Sequence, residues 1–183
     1  MARNIEIKSS IEDLRSCVDR ARALSGSAPV VIEQEDYFFN CESGRLKLRV
    51  FSSEKGELIF YRRKNESGPK MSEYFISGTS EPDSLLRVLE KSHGLRGVVK
   101  KTRRLFLAGR SRIHIDRVEN LGDFLEFEVV LSDEADPGDA EQEALRLMGH
   151  FGIEEDSLIP CAYIDLIERR NLQQGDSALE NRN

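Results

Sequence analysis

The sequence predicts an α+β fold in which antiparallel strands close into a β-barrel with helices on its outside. The first observation behind this class is the order of the segments: strand-like stretches follow one another in runs joined by tight turns, with few helical stretches between them. Parallel βαβ units would need a helix after each strand, and that alternation is absent. The second observation is that charged residues occupy every other position of many strands, which makes one face of the sheet densely charged.

The spacing of apolar residues assigns the first half of the chain. Residues 3–8 alternate, with Ile5 and Ile7 on one face, and predict a strand. Ser9 and Ser10 then offer a helix cap, and apolar residues at helical spacing predict an amphipathic helix over 10–24. Further strand-like segments, separated by turn residues, lie at 31–40, 45–51, 57–63 and 71–77.

The second half repeats this organisation. A second helix begins at Ser80 or Pro82, with the proline in its first turn, and stops at Gly94. A third helix follows the turn at 136–138 and ends near Phe151. Three more strands lie between these helices, at 97–107, 110–118 and 123–131. We expect residues 1–170 to form one domain, with a short apolar segment at 163–167, and residues 171–183 to form a polar, disordered tail.

Composition limits the class of partner. Of the 183 residues 39% are hydrophobic and 33% are charged, and the formal net charge is −6. A negative charge argues against nucleic acid and anionic membranes as partners, because both reward a basic surface. A small polyanion remains compatible, since a basic pocket can lie inside an acidic protein. The chain shows neither a signal-peptide core nor an apolar run long enough to span a bilayer, so we expect a soluble cytoplasmic protein.

The charged faces of the strands separate by sign. Acids share a face on one strand and bases on another, whereas a merely soluble surface usually mixes the two signs. An open sheet with one solvent-exposed face would show the same alternation, so the pattern alone does not decide between an open sheet and a closed barrel. The same-face sets are Glu6 with Lys8; Arg45, Lys47 and Arg49; Lys101 with Arg103; Arg110, Arg112, His114 and Asp116; and Glu126 with Glu128.

A closed interior with these side chains would be unstable without partners, because like charges repel and burial removes their hydration. A polyanion among the bases and a divalent cation among the acids would relieve both costs. Arginine forks and lysine ammonium groups suit phosphate oxygens, and carboxylates suit Mg²⁺ or Mn²⁺. His114 lies between Arg112 and Asp116 on the charged face, where it could donate to a phosphate. The residue types therefore fit metal-bridged phosphoryl chemistry.

Five segments, taken in order, carry a resemblance to a known family. The first is 4–8, Asn-Ile-Glu-Ile-Lys, which resembles the N-terminal E-x-E-x-K signature of the CYTH, or triphosphate tunnel metalloenzyme, superfamily. The resemblance spans roughly residues 3–168 and implies an eight-stranded antiparallel tunnel that binds a triphosphate and a divalent metal. The further segments are Asp36–Phe39 with Leu46–Arg49, Ile59–Arg63, Arg112–Asp116 and Phe124–Glu128.

The resemblance also implies roles for individual residues. Alternation alone leaves Arg62 and Arg63 undecided, and the resemblance favours Arg63. For hydrolysis, our hypothesis is that Glu128 or a metal positions the attacking water and that Lys8 stabilises the leaving oxygen. The implied metal ligands are Glu6, Glu126 and Glu128, with Asp116 as an addition. The implied phosphate-binding residues are Lys8, Lys47, Arg49, Arg63, Lys101, Arg103 and Arg112.

One departure from the signature is Asn4, which stands where the family has its first acid. An amide is a poorer ligand for a hard cation than a carboxylate. The leading hypothesis is a metal-dependent enzyme that hydrolyses a triphosphate such as tripolyphosphate, thiamine triphosphate or ATP. An adenylate cyclase of the class IV type is the first alternative, and a non-catalytic module that binds a polyphosphate or nucleotide is the second. The sequence leaves the substrate, the choice of metal and the oligomeric state open.

Overall fold

The computed structural model describes residues 2–132 and 134–180 of the chain. Over these residues the strands are β1 (Ala2–Ser10), β2 (Val30–Phe39), β3 (Arg45–Ser52), β4 (Lys55–Arg63), β5 (Lys70–Thr79), β6 (Leu95–Ala108), β7 (Ser111–Val118) and β8 (Gly122–Leu131). The helices are α1 (Leu14–Ser25), α2 (Pro82–His93), α3 (Pro137–Phe151) and α4 (Tyr163–Glu180), with a single 3₁₀ turn at Glu155–Ser157.

The strands form a closed barrel in the order β1-β5-β4-β3-β2-β6-β7-β8. Strand β1 closes it, because it pairs antiparallel with β5 on one side and with β8 on the other. Every other neighbouring pair is antiparallel as well. The predicted eight-stranded antiparallel barrel with flanking helices is therefore confirmed, and the alternative of an open sheet is excluded.

Period-two alternation decides which side chains face outward on β1, β7 and β8. Ile5 and Ile7 of β1 join Ile113 of β7 in a core that α1 and α3 cover, with Ala21 and Phe151 among the helical contributors. Each large apolar side chain buried in this way contributes about 1.5–3 kcal/mol. Because these apolar faces pack against helices, the opposite faces of the same strands line the inside of the barrel.

A second apolar cluster fills one end of the barrel. The chain beyond α3 returns to the barrel at Ile159, whose backbone N–H donates to the carbonyl of Lys8 at 2.8 Å. The start of α4 then places Tyr163 and Ile164 against Phe38 and Phe124. This end of the barrel is thereby closed by the segment that leads into α4, and we call it the closed end.

Two helix boundaries differ from the sequence expectations. Helix α1 begins at Leu14, because the carboxylate of Asp13 accepts a hydrogen bond from the backbone of Ser16 at 2.9 Å, while Ser10 still belongs to β1. The short apolar segment predicted at 163–167 is the first part of α4. Residues 171–180, assigned to a polar tail from sequence, continue that helix, and 181–183 lie outside the described residues. Within the described part of the chain, no helix has the length and apolar character to cross a membrane.

Candidate functional site

A cavity of about 400 Å³ runs through the barrel, a size typical of small-molecule sites. Its wall is made by the inward-facing residues of all eight strands together with Tyr163 of α4. The charged or amide-bearing side chains that line it are Asn4, Glu6, Lys8, Gln34, Asp36, Lys47, Arg49, Glu57, Arg63, Lys101, Arg103, Arg112, His114, Glu126 and Glu128.

Strand register brings an acidic cluster together on β7 and β8. His114 lies directly opposite Glu126, and Arg112 lies opposite Glu128 in the same pair of strands. One ligand atom from each of His114, Glu126 and Glu128 lies within 4.8 Å of the others. We call these three residues the acidic cluster. Its donor atoms are carboxylate oxygens and one imidazole nitrogen, which are groups that bind divalent cations.

Cations partly balance the acidic cluster. Glu126 forms an ion pair with Lys8 Nζ at 3.2 Å and lies 3.7 Å from Arg103. Burial alone would raise the pKa of the Glu126 carboxyl, but Lys8, a hydrogen bond from His114 and Arg103 together hold that pKa well below its ordinary value. Glu128 is closer to solvent and is bound by Arg112 at 3.3 Å. Glu126 therefore remains charged, and the carboxylate oxygens of both glutamates line the cavity.

A basic cluster lies on the neighbouring strands β2, β3 and β6 and is organised around two buried aspartates, Asp36 on β2 and Asp116 on β7. Asp36 accepts from Lys47 at 2.9 Å and from Arg49 at 2.8 Å. Asp116 accepts a two-pronged pair from Arg103, at 2.7 and 2.6 Å, and a bond from Lys101 at 3.3 Å. The four cations Lys47, Arg49, Lys101 and Arg103 line the cavity. Together with Asp36 and Asp116, they are called the basic cluster.

Burial and neighbouring charges shift the pKa values of residues in this cluster. It would raise the pKa of Asp116, but Arg103 and Lys101 outweigh burial and keep that pKa below its ordinary value. The same balance, with Arg49 and Lys47 as the cations, lowers the pKa of Asp36. For Lys47, burial and the neighbouring Arg49 lower the pKa to about 7 despite the attraction of Asp36. The cavity therefore carries crowded positive charge that an added anion would stabilise.

Glu6 lies directly opposite Glu128 in the β1–β8 pair, but its carboxylate is bound to an arginine and does not join the acidic cluster. Its carboxylate accepts a hydrogen bond from Arg63, whose other guanidinium nitrogen lies 3.5 Å from the carbonyl oxygen of Pro160. Arg63 lines the cavity, whereas Arg62 is exposed and donates to the carbonyl of Ser43 at 3.0 Å. Strand alternation alone did not decide which of these two arginines faces inward, and the structure places Arg63 inside the barrel.

Asp116 is also outside the acidic cluster, because its carboxylate is bound by Arg103, Lys101 and the hydroxyl of Tyr163. The remaining residues assigned from sequence, Lys8, Lys47, Arg49, Arg112 and His114, all line the cavity. The structure thus gathers the predicted residues around one cavity but divides the predicted metal ligands by their partners: Glu126 and Glu128 lie beside His114, whereas Glu6 and Asp116 are bound to cations.

Sequence reasoning missed Tyr163 and the organising role of Asp36. The hydroxyl of Tyr163 donates to Asp116 at 3.1 Å, and its ring lies 4.2 Å from Lys8 Nζ. Nothing in the local pattern around Tyr163 indicates an interior position, because it belongs to a helix that reaches the barrel from outside. Asp36 had a usable signal, since it shares an inward face with Gln34 and Phe38.

Lys70, on β5, is a further residue that the pattern did not single out. It is 2% exposed, and its Nζ donates to the carbonyls of Glu66 and Ile159 at 3.2 Å each. Burial and the nearby Arg63 lower the pKa of Lys70 to about 8. It holds the segment before α4 against the barrel and so supports the closed end.

The end of the cavity remote from Tyr163 is different in character. There β2, β3, β5 and β6 continue their inward faces with apolar residues rather than charges. We call this end the open mouth. The apolar side chains that line it are Ile32, Phe51, Ile76 and Leu105.

A closed antiparallel tunnel with a charged interior defines a class of phosphate- and metal-binding proteins, and comparison with known proteins gives the family. The model of the CYTH domain matches residues 2–163. The chain therefore belongs to the CYTH family, as the sequence resemblance indicated. Its members are triphosphatases or adenylate cyclase-like enzymes, and proteins of this tunnel type generally depend on a divalent metal.

Individual relatives agree with this assignment. A protein of Methanocaldococcus jannaschii named "Putative adenylate cyclase MJ0240" is 26% identical over 176 residues, which covers 88% of this chain and 97% of that protein. The solved structure of PH1012 from Pyrococcus horikoshii OT3 has a TM-score of 0.77 at 22% identity, covering 89% of this chain and 98% of that one. HpAC1 from Hippeastrum, described as a putative adenylyl cyclase with a dominant triphosphatase activity, has a TM-score of 0.62 at 16% identity, covering 92% and 96%.

Proposed function

We propose that this protein is a divalent-metal-dependent triphosphatase that hydrolyses its substrate inside the barrel. The observation that carries the proposal is that one cavity holds two adjoining charged groups: four cations around Asp36 and Asp116, and the acidic cluster beside them. A chain of phosphates needs many positive charges, and a metal that bridges it to the protein needs carboxylates. Both requirements are met within about 400 Å³.

The basic cluster would hold the phosphates. Arg49 and Arg103 present guanidinium groups whose planar forks match phosphate oxygens, and Lys47 and Lys101 add point charges. Asp36 and Asp116 fix these cations by hydrogen bonds of 2.6–3.3 Å, so the site is formed before the substrate arrives. Preorganisation of this kind reduces the ordering cost of binding.

Glu126 and Glu128 are the residues that would hold the metal ion, which when bound neutralises phosphate charge and favours ionisation of a nearby water. Glu128 is the more accessible of the two and would accept the proton of the attacking water. Lys8 lies 3.2 Å from Glu126, and its ammonium group would stabilise the leaving phosphate oxygen.

The test is an assay of tripolyphosphate, thiamine triphosphate and ATP, each with Mg²⁺ and with Mn²⁺ and with every product identified. We expect chelator-sensitive phosphate release from at least one substrate and its loss in Glu128→Gln. Glu143→Gln is the matched control, because Glu143 pairs with Arg110 on the outside of the barrel. Metal-dependent hydrolysis that survives Glu128→Gln would refute the role of Glu128, and no hydrolysis of any substrate would refute the proposed function.

Adenylate cyclase activity is the second candidate, and the open mouth favours it. Ile32, Phe51, Ile76 and Leu105 offer an apolar surface next to the basic cluster, where a nucleotide base could lie. The M. jannaschii relative also carries an adenylate cyclase name. The products from ATP decide between the two reactions, because cyclisation gives cyclic AMP and pyrophosphate whereas hydrolysis gives ADP and phosphate. A non-catalytic module would instead bind these compounds tightly in calorimetry and release no product.

A further inference from the structure

We propose that His114 is a metal ligand beside Glu126 and Glu128, and that it shifts the site's preference from Mg²⁺ toward Mn²⁺. This inference rests on the proposed metal dependence, but it concerns which residues bind the ion and which ion they favour. It replaces the earlier expectation that His114 donates to a phosphate. Two independent observations carry it, one on β7 and one on β1.

The first observation is the position of the imidazole. His114 is 4% exposed, and its Nδ1 lies 3.5 Å from Glu126 Oε1 and 3.8 Å from Glu128 Oε1. These separations are too long for strong hydrogen bonds, but the three ligand atoms lie close enough together to share one ion. The arrangement is set by the backbone, because His114 and Glu126 are direct cross-strand partners.

The second observation is that β1 adds no free carboxylate to this cluster. Glu6, the one acid on the inward face of β1, lies opposite Glu128 in the strand pairing, but its carboxylate is bound by Arg63. Asn4 stands at the other signature position, is 3% exposed and lines the same cavity. Its Oδ1 is buried without a hydrogen-bond partner among the described residues. A buried amide oxygen without a partner is costly, so it indicates that a ligand or an ordered water completes the site.

The donor set therefore includes one nitrogen ligand. It carries one negative charge fewer than an all-carboxylate site with the same number of ligands. Mg²⁺ favours oxygen ligands and retains its own waters, so it gains little from an imidazole. Imidazole nitrogen binds the first-row transition ions more strongly, and carboxylates accept Mn²⁺ as readily as Mg²⁺. A site of two glutamates and one histidine is consequently expected to select Mn²⁺.

The experiment measures the ligand atoms directly, without turnover. Mn²⁺ is added to metal-free, full-length protein and studied by pulsed EPR for coupling to a ligand nitrogen, with ¹⁴N- and ¹⁵N-histidine samples to identify it. We expect histidine coupling in the natural protein and its loss in His114→Gln. Coupling should persist in His93→Gln and His150→Gln, which are the matched controls because both residues are exposed on helices. Bound Mn²⁺ without histidine coupling in the natural protein would overturn the proposal, whether or not the variants fold.

Affinity gives a second readout. His114→Gln should weaken Mn²⁺ binding by about 10–100-fold and change Mg²⁺ binding by less than about threefold. Adding Asn4→Glu to that variant should raise Mg²⁺ affinity, since it returns a carboxylate to β1. An equal loss for both ions would overturn the claim of selectivity. Metal-dependent hydrolysis without histidine coupling would refute this inference alone, whereas histidine coupling without hydrolysis of any substrate would refute the proposed function alone.

Discussion

Two pairs of inward-facing carboxylates differ in what surrounds them, although all four belong to one barrel. Asp36 and Asp116 are 2% and 0% exposed, and each accepts from at least two cations. Glu126 and Glu128 are somewhat more accessible and lie beside His114, with a single cation within 3.5 Å of each. The aspartates are saturated with donors, whereas the glutamates retain capacity to accept more.

This difference separates structural from ligand-binding acids. A buried carboxylate surrounded by arginine and lysine organises those cations and has little affinity left for a metal. A carboxylate with free lone pairs in an open cavity can bind one. The contrast predicts that substitutions of the aspartates will mainly affect folding, and that substitutions of the glutamates will mainly affect metal and substrate.

The largest expected effect is on stability. Asp116→Ala would leave Arg103 and Lys101 buried without their counter-ion, which typically costs about 3–5 kcal/mol. Denaturant unfolding measures the free energy. Asp123→Ala is the control on the neighbouring strand, because Asp123 pairs with Arg117, whose side chain is 60% exposed, and should cost less than about 1 kcal/mol. Equal losses in both variants would contradict the structural role of Asp116.

The next effect is on metal-dependent turnover. Glu126→Gln keeps the shape of the side chain but removes a charged metal ligand and the partner of Lys8, so we expect turnover to fall by about 100-fold or more. Phosphate release across a metal titration measures the change, with Glu143→Gln as the external control. The free energy of unfolding should change far less than in Asp116→Ala; a stability loss of similar size would remove the distinction between the two kinds of acid.

A smaller effect concerns pH and the basic cluster. Lys47, which faces Asp36, Arg49 and Lys101, has a pKa of about 7 because of burial and the adjacent Arg49. Below this pH the side chain is charged and attracts phosphate; above it the charge is lost, so affinity should fall as pH rises. For metal-free tripolyphosphate, Kd should increase by about eightfold between about pH 7.5 and about pH 8.5.

Lys47→Arg is the control for that pH dependence, because an arginine side chain stays charged throughout this range. Calorimetry at each pH should show a nearly constant Kd for the variant. A pH dependence of the same size in Lys47→Arg would assign it to another group.

The smallest effect is expected at the closed end. Tyr163→Phe removes one hydrogen-bond donor from Asp116, which keeps Arg103 and Lys101, so the free energy of unfolding should fall by about 1 kcal/mol. Tyr37→Phe is the control, since Tyr37 donates to Glu35 near the outer surface at 2.7 Å and should cost less. No measurable difference between the two variants would show that Asp116 does not need its third partner.

The sequence by itself determined the wall of the cavity. A strand repeats every two residues, so once Leu46 and Leu48 face a helix-covered core, Lys47 and Arg49 must face the other way. The same parity turns Lys101 and Arg103, and Glu126 and Glu128, toward the inside of the barrel. The sequence also indicated the family, because segments that resemble its signature occur in order along the chain.

Tertiary structure alone decided which charges meet. Glu6 binds Arg63, which is 57 residues away, and Asp116 binds Tyr163, which is 47 residues away on a helix outside the sheet. The local sequence pattern cannot predict such contacts, because they depend on how β1 closes the barrel and on which segment fills its end. Register places Glu6 opposite Glu128, but the partners that closure supplies bind Glu6 to Arg63 and Asp116 to Arg103. Glu126 and Glu128 are left beside His114. Alternation fixes the direction in which a side chain points, whereas its partner is fixed only when distant strands are brought together.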